Sequence, residues 1–318
     1  MTQPSSASHP DRRPVGLKAR VWLQRAAVNL LLTAIATIVG YFLIQLIFFR
    51  IVLPNIALNV RPHLTGTPGV LVQHSKTGWV PQNYIAILGD SYAEGIGDWL
   101  ISNGGNESLP FGAADVLHEL TRRDVVSFGR GGSGNAEAFV RQPARIFGDS
   151  HCLIFPTLDP PAQIFAFFYE GNDVQDNLRV ATAVAGRYGR VDANTIDSYL
   201  TEQYAAIPPW ACQLSLSDTI GRMARFWYQY RNFRLEDVPR PAPGDNMLLV
   251  SGKRVDAPAP MEGPALEIDE RGFQIAFSIL ERSLLWMRRY FSTIPITLIY
   301  IPSPLATYTS GRQDYLHD

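Results

Sequence analysis

The sequence predicts an α/β domain, helices packed around a central parallel sheet, behind one apolar N-terminal helix. Three observations carry that prediction. Short apolar runs, each the length of a buried parallel strand, break off at Gly, Asp, Ser or Asn. Segments of helical periodicity separate them. And no charged residue occurs from Ala26 to Phe49.

Composition narrows the classes. The chain has 318 residues and a formal net charge of −1, which argues against a nucleic-acid partner. Hydrophobic residues make up 46%, enough for a sizeable core, and 23 Pro with 25 Gly predict long loops. Cys152 and Cys212 allow one disulfide or two buried thiols, and both readings stay open. Neither lies in a metal-ligand spacing, so no zinc is expected. No internal repeat and no heptad pattern is present.

Residues 1–14 are rich in Ser, Pro and His and read as disordered. Arg12, Arg13, Lys18, Arg20 and Arg25 make residues 1–25 a basic tail. The charge-free stretch 26–49 is about 24 residues long, enough to cross a hydrocarbon layer of roughly 30 Å with some tilt. The basic flank precedes it, so the positive-inside rule puts the tail in the cytoplasm and the remainder outside, periplasmic or extracellular. A cleaved signal peptide would have a shorter apolar core and a small-x-small site, whereas this span runs into Phe48-Phe49-Arg50-Ile51. An oxidising compartment would permit a Cys152–Cys212 bridge.

Residues 50–82 read as an irregular lead-in, with Pro62, Pro68, Gly69, Gly78 and Pro81. A short apolar strand begins at Tyr84 and breaks at Gly89-Asp90-Ser91. A Ser at the carboxyl end of such a strand faces the crevice where open α/β sheets bind ligands. The same three residues also suit an ordinary turn. Gly97 to Pro110 reads as a polar loop and Ala113 to Leu120 as a helix. A second strand, Asp124 to Phe128, runs into Gly129-Arg130-Gly131-Gly132-Ser133-Gly134-Asn135. This contains Gly-x-Gly-x-x-Gly, but after the second strand, which weakens a dinucleotide reading. A glycine-rich turn can also aim a bare backbone N–H into a crevice, as an oxyanion hole requires. A helix over Ala136 to Phe147 closes that unit. The third strand, Gln163 to Tyr169, ends in Glu170-Gly171-Asn172-Asp173. Asn172 there could donate its amide to an oxyanion or cap the next helix.

After Asp176 the alternation stops for about 110 residues, longer than an ordinary connection. A helix from Leu216 to Phe233 carries Phe226, Trp227 and Tyr230, which read as core packing before a substrate platform. An insertion at about 177–268 is expected to govern substrate choice. An amphipathic helix follows from Asp269 to Phe291, then a fourth strand, Ile294 to Ile301.

With these blocks in order, residues 83–318 resemble the SGNH (GDSL-like) hydrolase superfamily, in a membrane-anchored bacterial form. Gly89-Asp90-Ser91-Tyr92 matches the nucleophile block. Gly132 aligns with the oxyanion glycine. Asn172-Asp173 matches the third block, although Glu170 stands where the usual Gly-x-Asn-Asp has glycine. The resemblance implies a flavodoxin-like three-layer αβα fold with a central parallel sheet. It also implies serine-dependent ester hydrolysis or acyl transfer on an acylated carbohydrate or lipid, and no cofactor. Ser91 would attack the carbonyl, and the Ser91 and Gly132 amides with the Asn172 side chain would hold the oxyanion.

The base is the strained point. The family pattern implies an Asp-x-x-His block, and Asp314-Tyr315-Leu316-His317 fits it. That block follows the fourth strand within about a dozen residues, where the resemblance implies a further helix and strand. Either the fold is abbreviated and Asp314 and His317 complete the triad, or the chain is truncated and its base is missing. Truncation is favoured, because a missing edge strand and helix would leave apolar surface open. His151 is a further candidate, while His63, His74 and His118 are poorer ones. The rival from another class is a non-catalytic, membrane-tethered binding or assembly protein that keeps the crevice and lacks the base.

Overall fold

The computed structural model describes residues 15–53, 64, 67–95, 112–149, 158–205, 216–230, 247–250, 253–256, 268–303 and 309–310. For residues 15–19, 67, 247–250, 253–256 and 309–310, and for part of 216–230, only the backbone is described. The loop at 97–110, most of the stretch 231–267, Cys152, Cys212, His63, His151, Asp314 and His317 lie outside the described residues, as do the side chains of Phe226, Trp227 and Tyr230. The chain divides into two units, residues 1–47 and 48–318.

The first unit is one helix, α1, Val15–Ile47. Leu30, Leu31, Leu32, Ile35 and Ile38 are all exposed, so the helix is apolar around its circumference and has no core of its own to face. Its hydroxyls are satisfied internally: Thr33 donates to Asn29 O and Thr37 to Thr33 O, each at 2.8 Å. That is what a helix in hydrocarbon requires. The helical stretch is long and apolar enough to cross a membrane.

The second unit opens with a π-helical turn, Phe48–Val52. Phe49 and Leu53 join Leu64, Leu71 and Val72 in a small core. Trp79 closes it by donating Nε1 to Phe49 O at 3.2 Å, with the Arg50 guanidinium 5.2 Å from its ring centre. A short helix, α2, Thr67–Leu71, supplies Leu71.

Four strands form the main sheet: β1, Ile85–Leu88; β2, Val125–Ser127; β3, Gln163–Tyr169; and β6, Ile296–Ile301. Their order is β2-β1-β3-β6 and every pairing is parallel. Ile85 is level with both Val125 and Gln163, and Ile164 with Ile296. Two further strands, β4 (Met247–Val250) and β5 (Lys253–Asp256), form a hairpin, and β7 (Thr309–Ser310) adds to β4 antiparallel.

Helices cover both faces of the main sheet, which explains why β1 is apolar at every position. On one face Ala86, Leu88, Val126, Ile164 and Phe168 meet Phe139, Ile146, Val174, Ala276, Leu280 and Met287. These come from the π-helical turn Glu137–Arg141 with α5 (Gln142–Asp149), from α6 (Glu170–Tyr188) and from α9 (Glu270–Tyr290). On the other face Ile85, Ile87, Val125 and Phe167 meet Ala93 of α3 (Ser91–Glu94) and Ala114 of α4 (Ala113–Thr121). Outside the first layer, α7 (Ala193–Ala205) packs Ile196 and Leu200 against Val140, Val184 and Ile279. A further helix, α8, spans Leu216–Tyr230.

The two edges of the sheet differ. The lead-in covers β2: Gln73 donates Nε2 to Ser127 O and accepts from Ser127 N, both at 2.7 Å, and so stands in for a neighbouring strand. The Val125 amide donates to Ser75 O at 2.8 Å. At the other edge β6 pairs only with β3 among the described residues, and Leu298 and Tyr300 are exposed.

The predicted strands sit where the apolar runs placed them, with Gln163–Tyr169 reproduced end to end. The helix expected from Asp269 runs Glu270–Tyr290, with Asp269 as its cap accepting from Gly272 N at 2.7 Å. The helix expected over Ala136 to Phe147 begins as a π-helical turn, and α6 and α7 occupy residues that showed no regular alternation.

Candidate active site

In the order β2-β1-β3, the chain leaves β1 for one neighbour and reaches β3 on its other side. A crevice therefore opens at the carboxyl end of β1. Gly89-Asp90 lead from β1 into α3, a single turn. Asp90 caps it: its Oδ1 accepts from Tyr92 N at 2.9 Å, while Glu94 N donates to Asp90 O and Gly95 N to Ser91 O, each at 3.0 Å. Ser91 is thus the first residue of the turn, half-buried at the crevice, while Asp90 is fully buried.

The second block wraps against that turn. Ser127 donates its hydroxyl to Ala93 O, and Arg130 N donates to Gly89 O at 3.2 Å. Gly129 lies flat on α3, since a Cβ there would fall 2.3 Å from Glu94 N. Gly131 N donates to Glu94 Oε2 at 2.6 Å. A Cβ added at Gly131 would stand 3.7 Å from Ser91 Cβ. Gly132 adopts φ +70°, the left-handed region open to glycine, and space is free where its Cβ would be. No acceptor for its N–H occurs among the described residues.

The third block begins α6, with Tyr169 as the flanking residue and Glu170 to Asp173 in the first turn. The Asn172 and Ser91 side chains both face the Asp90 carboxyl and favour its ionised form. Burial outweighs them and the Tyr92 amide, and raises the Asp90 pKa. Asp90 Oδ2 and Asn172 Oδ1 are buried and make no direct hydrogen bond of good geometry. Asp173 Oδ2 accepts from Tyr169 N at 2.9 Å, fixing the strand-to-helix junction. Burial, with the nearby Asp90 charge, pushes its carboxyl up to about 8. Glu94 is pushed up to about 7 by burial, against the pull of the Gly131 amide and Arg130. Asp176 is also raised by burial, with Arg179 pulling the other way. These four carboxyls crowd this end of the sheet beside Glu170, with Arg130 and Arg179 at its margins.

Sequence reasoning put forward Ser91, Gly132 and Asn172 as site residues. The structure brings Ser91 and Asn172 together through Asp90, and sets the Gly131–Gly132 turn beside Ser91. It also assigns parts to residues passed over. Glu94 is one, legible in hindsight as a carboxylate three positions after Ser91 on the same side of a helical turn. Glu170, which breaks the third block's pattern, accepts from Tyr300 OH at 2.6 Å and Ser303 N at 3.0 Å, tying β3 to β6. Tyr92 packs on Tyr169 with ring centres 4.2 Å apart and planes tilted by 37°, and Gly171 leaves room for the Tyr169 ring.

The histidines divide sharply. His118 Nδ1 lies 2.6 Å from Arg123 O, just before β2 begins, and His74 precedes Ser75, which pairs with Val125. His118 is at the amino end of the parallel sheet, whereas His74 is exposed on the segment that edges β2, between Gln73, paired with Ser127, and Ser75, paired with Val125. Asp314 and His317 lie outside the described residues, so the described site holds a serine, bare glycine amides and carboxyls. No group of His, Cys, Asp or Glu among the described residues is arranged to hold a metal ion. Compared with known proteins, the chain matches no family model, no curated protein and no solved structure.

Proposed function

We propose that the chain is a membrane-anchored serine esterase or O-acyltransferase of the SGNH type. Ser91 Oγ attacks an ester carbonyl and forms an acyl-enzyme. Its own amide, the Gly132 N–H and the Asn172 side chain receive the negative charge on oxygen. A histidine, His317 with Asp314 as its orienter where the abbreviated fold completes the triad, takes the hydroxyl proton and returns it to the leaving alcohol. Water as the second acceptor gives hydrolysis, and a sugar hydroxyl gives acyl transfer. Asp90 and Asp173 hold the two strand ends and take no proton from substrate.

The observation that carries this reading is the seating of the Gly131–Gly132 turn at Ser91, with a left-handed glycine whose amide faces no protein acceptor among the described residues. Asn172 on the adjoining strand end supports it. The carboxyl-rich crevice favours a neutral acyl ester over an anionic one. The basic residues, Arg20 and Arg25 in the first turns of α1 included, precede its charge-free stretch. That supports an N-terminus in the cytoplasm and a catalytic unit in the periplasm or outside the cell, where acylated surface glycans and lipids are within reach.

One observation favours the non-catalytic rival: of the two described histidines, His118 is at the amino end of the sheet and His74 lies exposed on the segment that edges β2. Turnover separates the two. The full chain in detergent is expected to release acetate from an acetylated glycan or a nitrophenyl ester, and the Ser91→Ala variant to release none above background. Binding of an acylated glycan with no turnover by either protein would favour the rival.

A further inference from the structure

We propose that Glu94 is a positioning residue: its carboxylate holds the Gly131 amide and thereby sets the Gly131–Gly132 turn at Ser91. The inference rests on the reading of Ser91 as nucleophile and adds to it a residue outside the three sequence blocks.

The turn is fixed firmly at both ends. At its start Gly129 N donates to Ser127 Oγ at 3.0 Å, and Arg130 N to Gly89 O at 3.2 Å. At its end Asn135 N donates to the Asn177 side chain at 3.1 Å, and Gly134 packs against Asp176. Between these anchors stand two exposed glycines with no side chains of their own to hold them. Among the described residues, the bond from Gly131 N to Glu94 Oε2 at 2.6 Å is the one hydrogen bond made by those two amides. It is a short, charge-assisted contact when the carboxyl is ionised.

Its source matters as much as its length. Glu94 belongs to the same single helical turn as Ser91, so nucleophile and tether move as one body. The Cβ position of Gly131 lies 3.2 Å from Glu94 Oε2 and 3.7 Å from Ser91 Cβ. Pinning the Gly131 amide limits the swing of the next peptide plane, and that plane carries the Gly132 N–H, the proposed oxyanion donor. Charged neighbours of Glu94 are Asp90 and Arg130. Its function is that of an acceptor, so the glutamine amide oxygen can replace it.

The test compares wild type, Glu94→Ala and Glu94→Gln as full-length chains in detergent. Two readouts are taken: hydrogen exchange of the peptide spanning Gly129–Ser133, and the rate of covalent labelling of Ser91 by a fluorophosphonate. Glu94→Ala is expected to lose exchange protection in that peptide alone and to label about 10–100-fold more slowly, the penalty of a misplaced reacting group. Glu94→Gln keeps the acceptor and is expected to restore both readouts to within a few-fold of wild type. Unchanged exchange in Glu94→Ala overturns the tether. Lost protection with a wild-type labelling rate overturns its relevance to the reaction, and a Gln variant as impaired as the Ala variant overturns the acceptor role. A wild-type chain that does not label at Ser91 removes the nucleophile reading and Glu94's catalytic purpose with it. A reactive wild type beside an unaffected Glu94→Ala removes the role of Glu94 alone.

Discussion

Replacing Gly129 with alanine should lift the Gly-rich turn off the helix that carries Ser91. The added Cβ would fall 2.3 Å from Glu94 N, 2.5 Å from Ala93 C and 2.7 Å from Ala93 Cβ. Two of these are backbone atoms, and Ala93 Cβ is fixed to the same turn, so no flexible side chain can swing aside. Favourable contacts begin at about 3.5 Å, so the two segments must part by about 1 Å. Overpacking of this kind costs about 1–3 kcal/mol. For a domain of this size that lowers the melting temperature by about 2–12 °C. The same displacement at Ser91 is expected to slow acylation by up to ~100-fold. Calorimetry and a fluorophosphonate labelling time course measure the two effects. Gly186→Ala is the control: nothing lies within 4 Å of that added Cβ, the site is exposed within α6, and a gain of about 0.5–1 kcal/mol is expected. A Gly129→Ala protein that melts and labels like wild type would refute the packing argument.

Three further outcomes follow from the same contacts. Asp173 has its folded pKa raised to about 8 from an unfolded value near 4, so its contribution to stability is complete at low pH and is lost as pH rises through about 8. The melting temperature should fall between about pH 4 and pH 8 and level off above, and Asp173→Asn, which keeps an acceptor for Tyr169 N, should flatten that part of the profile. Asp124 behaves oppositely: burial opposes its charge, but donors at Gln82 N, Thr77 N and Thr77 Oγ, 2.8–2.9 Å away, prevail and hold its pKa down. Its contribution is present above the unfolded value and fades as pH falls through the folded one. Asp124→Ala is expected to cost about 2–4 kcal/mol in urea titrations at neutral pH, because it strands backbone donors. Removing residues 1–47 should free the remaining chain from carbonate-washed membranes, and retention would contradict a spanning role for α1.

The sheet was legible because β1 and β2 are buried on both faces and β3 nearly so. Runs such as Ile85-Ala-Ile-Leu88 and Gln163 to Tyr169 are apolar at nearly every position, and polar residues mark their ends. The helix α6 was not, because its first turn, Glu170-Gly171-Asn172-Asp173, reads as a loop, and Ala-rich turns dilute the stripe formed by Val174, Ala181 and Val184. The π-helical turn at Glu137–Arg141 has no periodic signature, since it inserts one extra residue into a helical pattern. At the site, local turn chemistry marked Ser91, Asn172 and the Gly-rich turn as candidates, and the resemblance singled out Gly132 within that turn. The tether from Glu94 to Gly131 joins residues from different βα units, so only the fold brings them together. Gln73 on β2 illustrates the same limit: a glutamine in an irregular lead-in carries no sign that it will complete a strand edge.

The most direct test of the account is whether Ser91 is an activated nucleophile. The full-length chain is treated with a fluorophosphonate beside Ser91→Ala, and the adduct is located by peptide mass spectrometry. The account predicts rapid, stoichiometric modification at Ser91 that is absent from the variant. A folded chain that remains unmodified, or one modified equally in both proteins, would contradict it and leave the crevice a binding site.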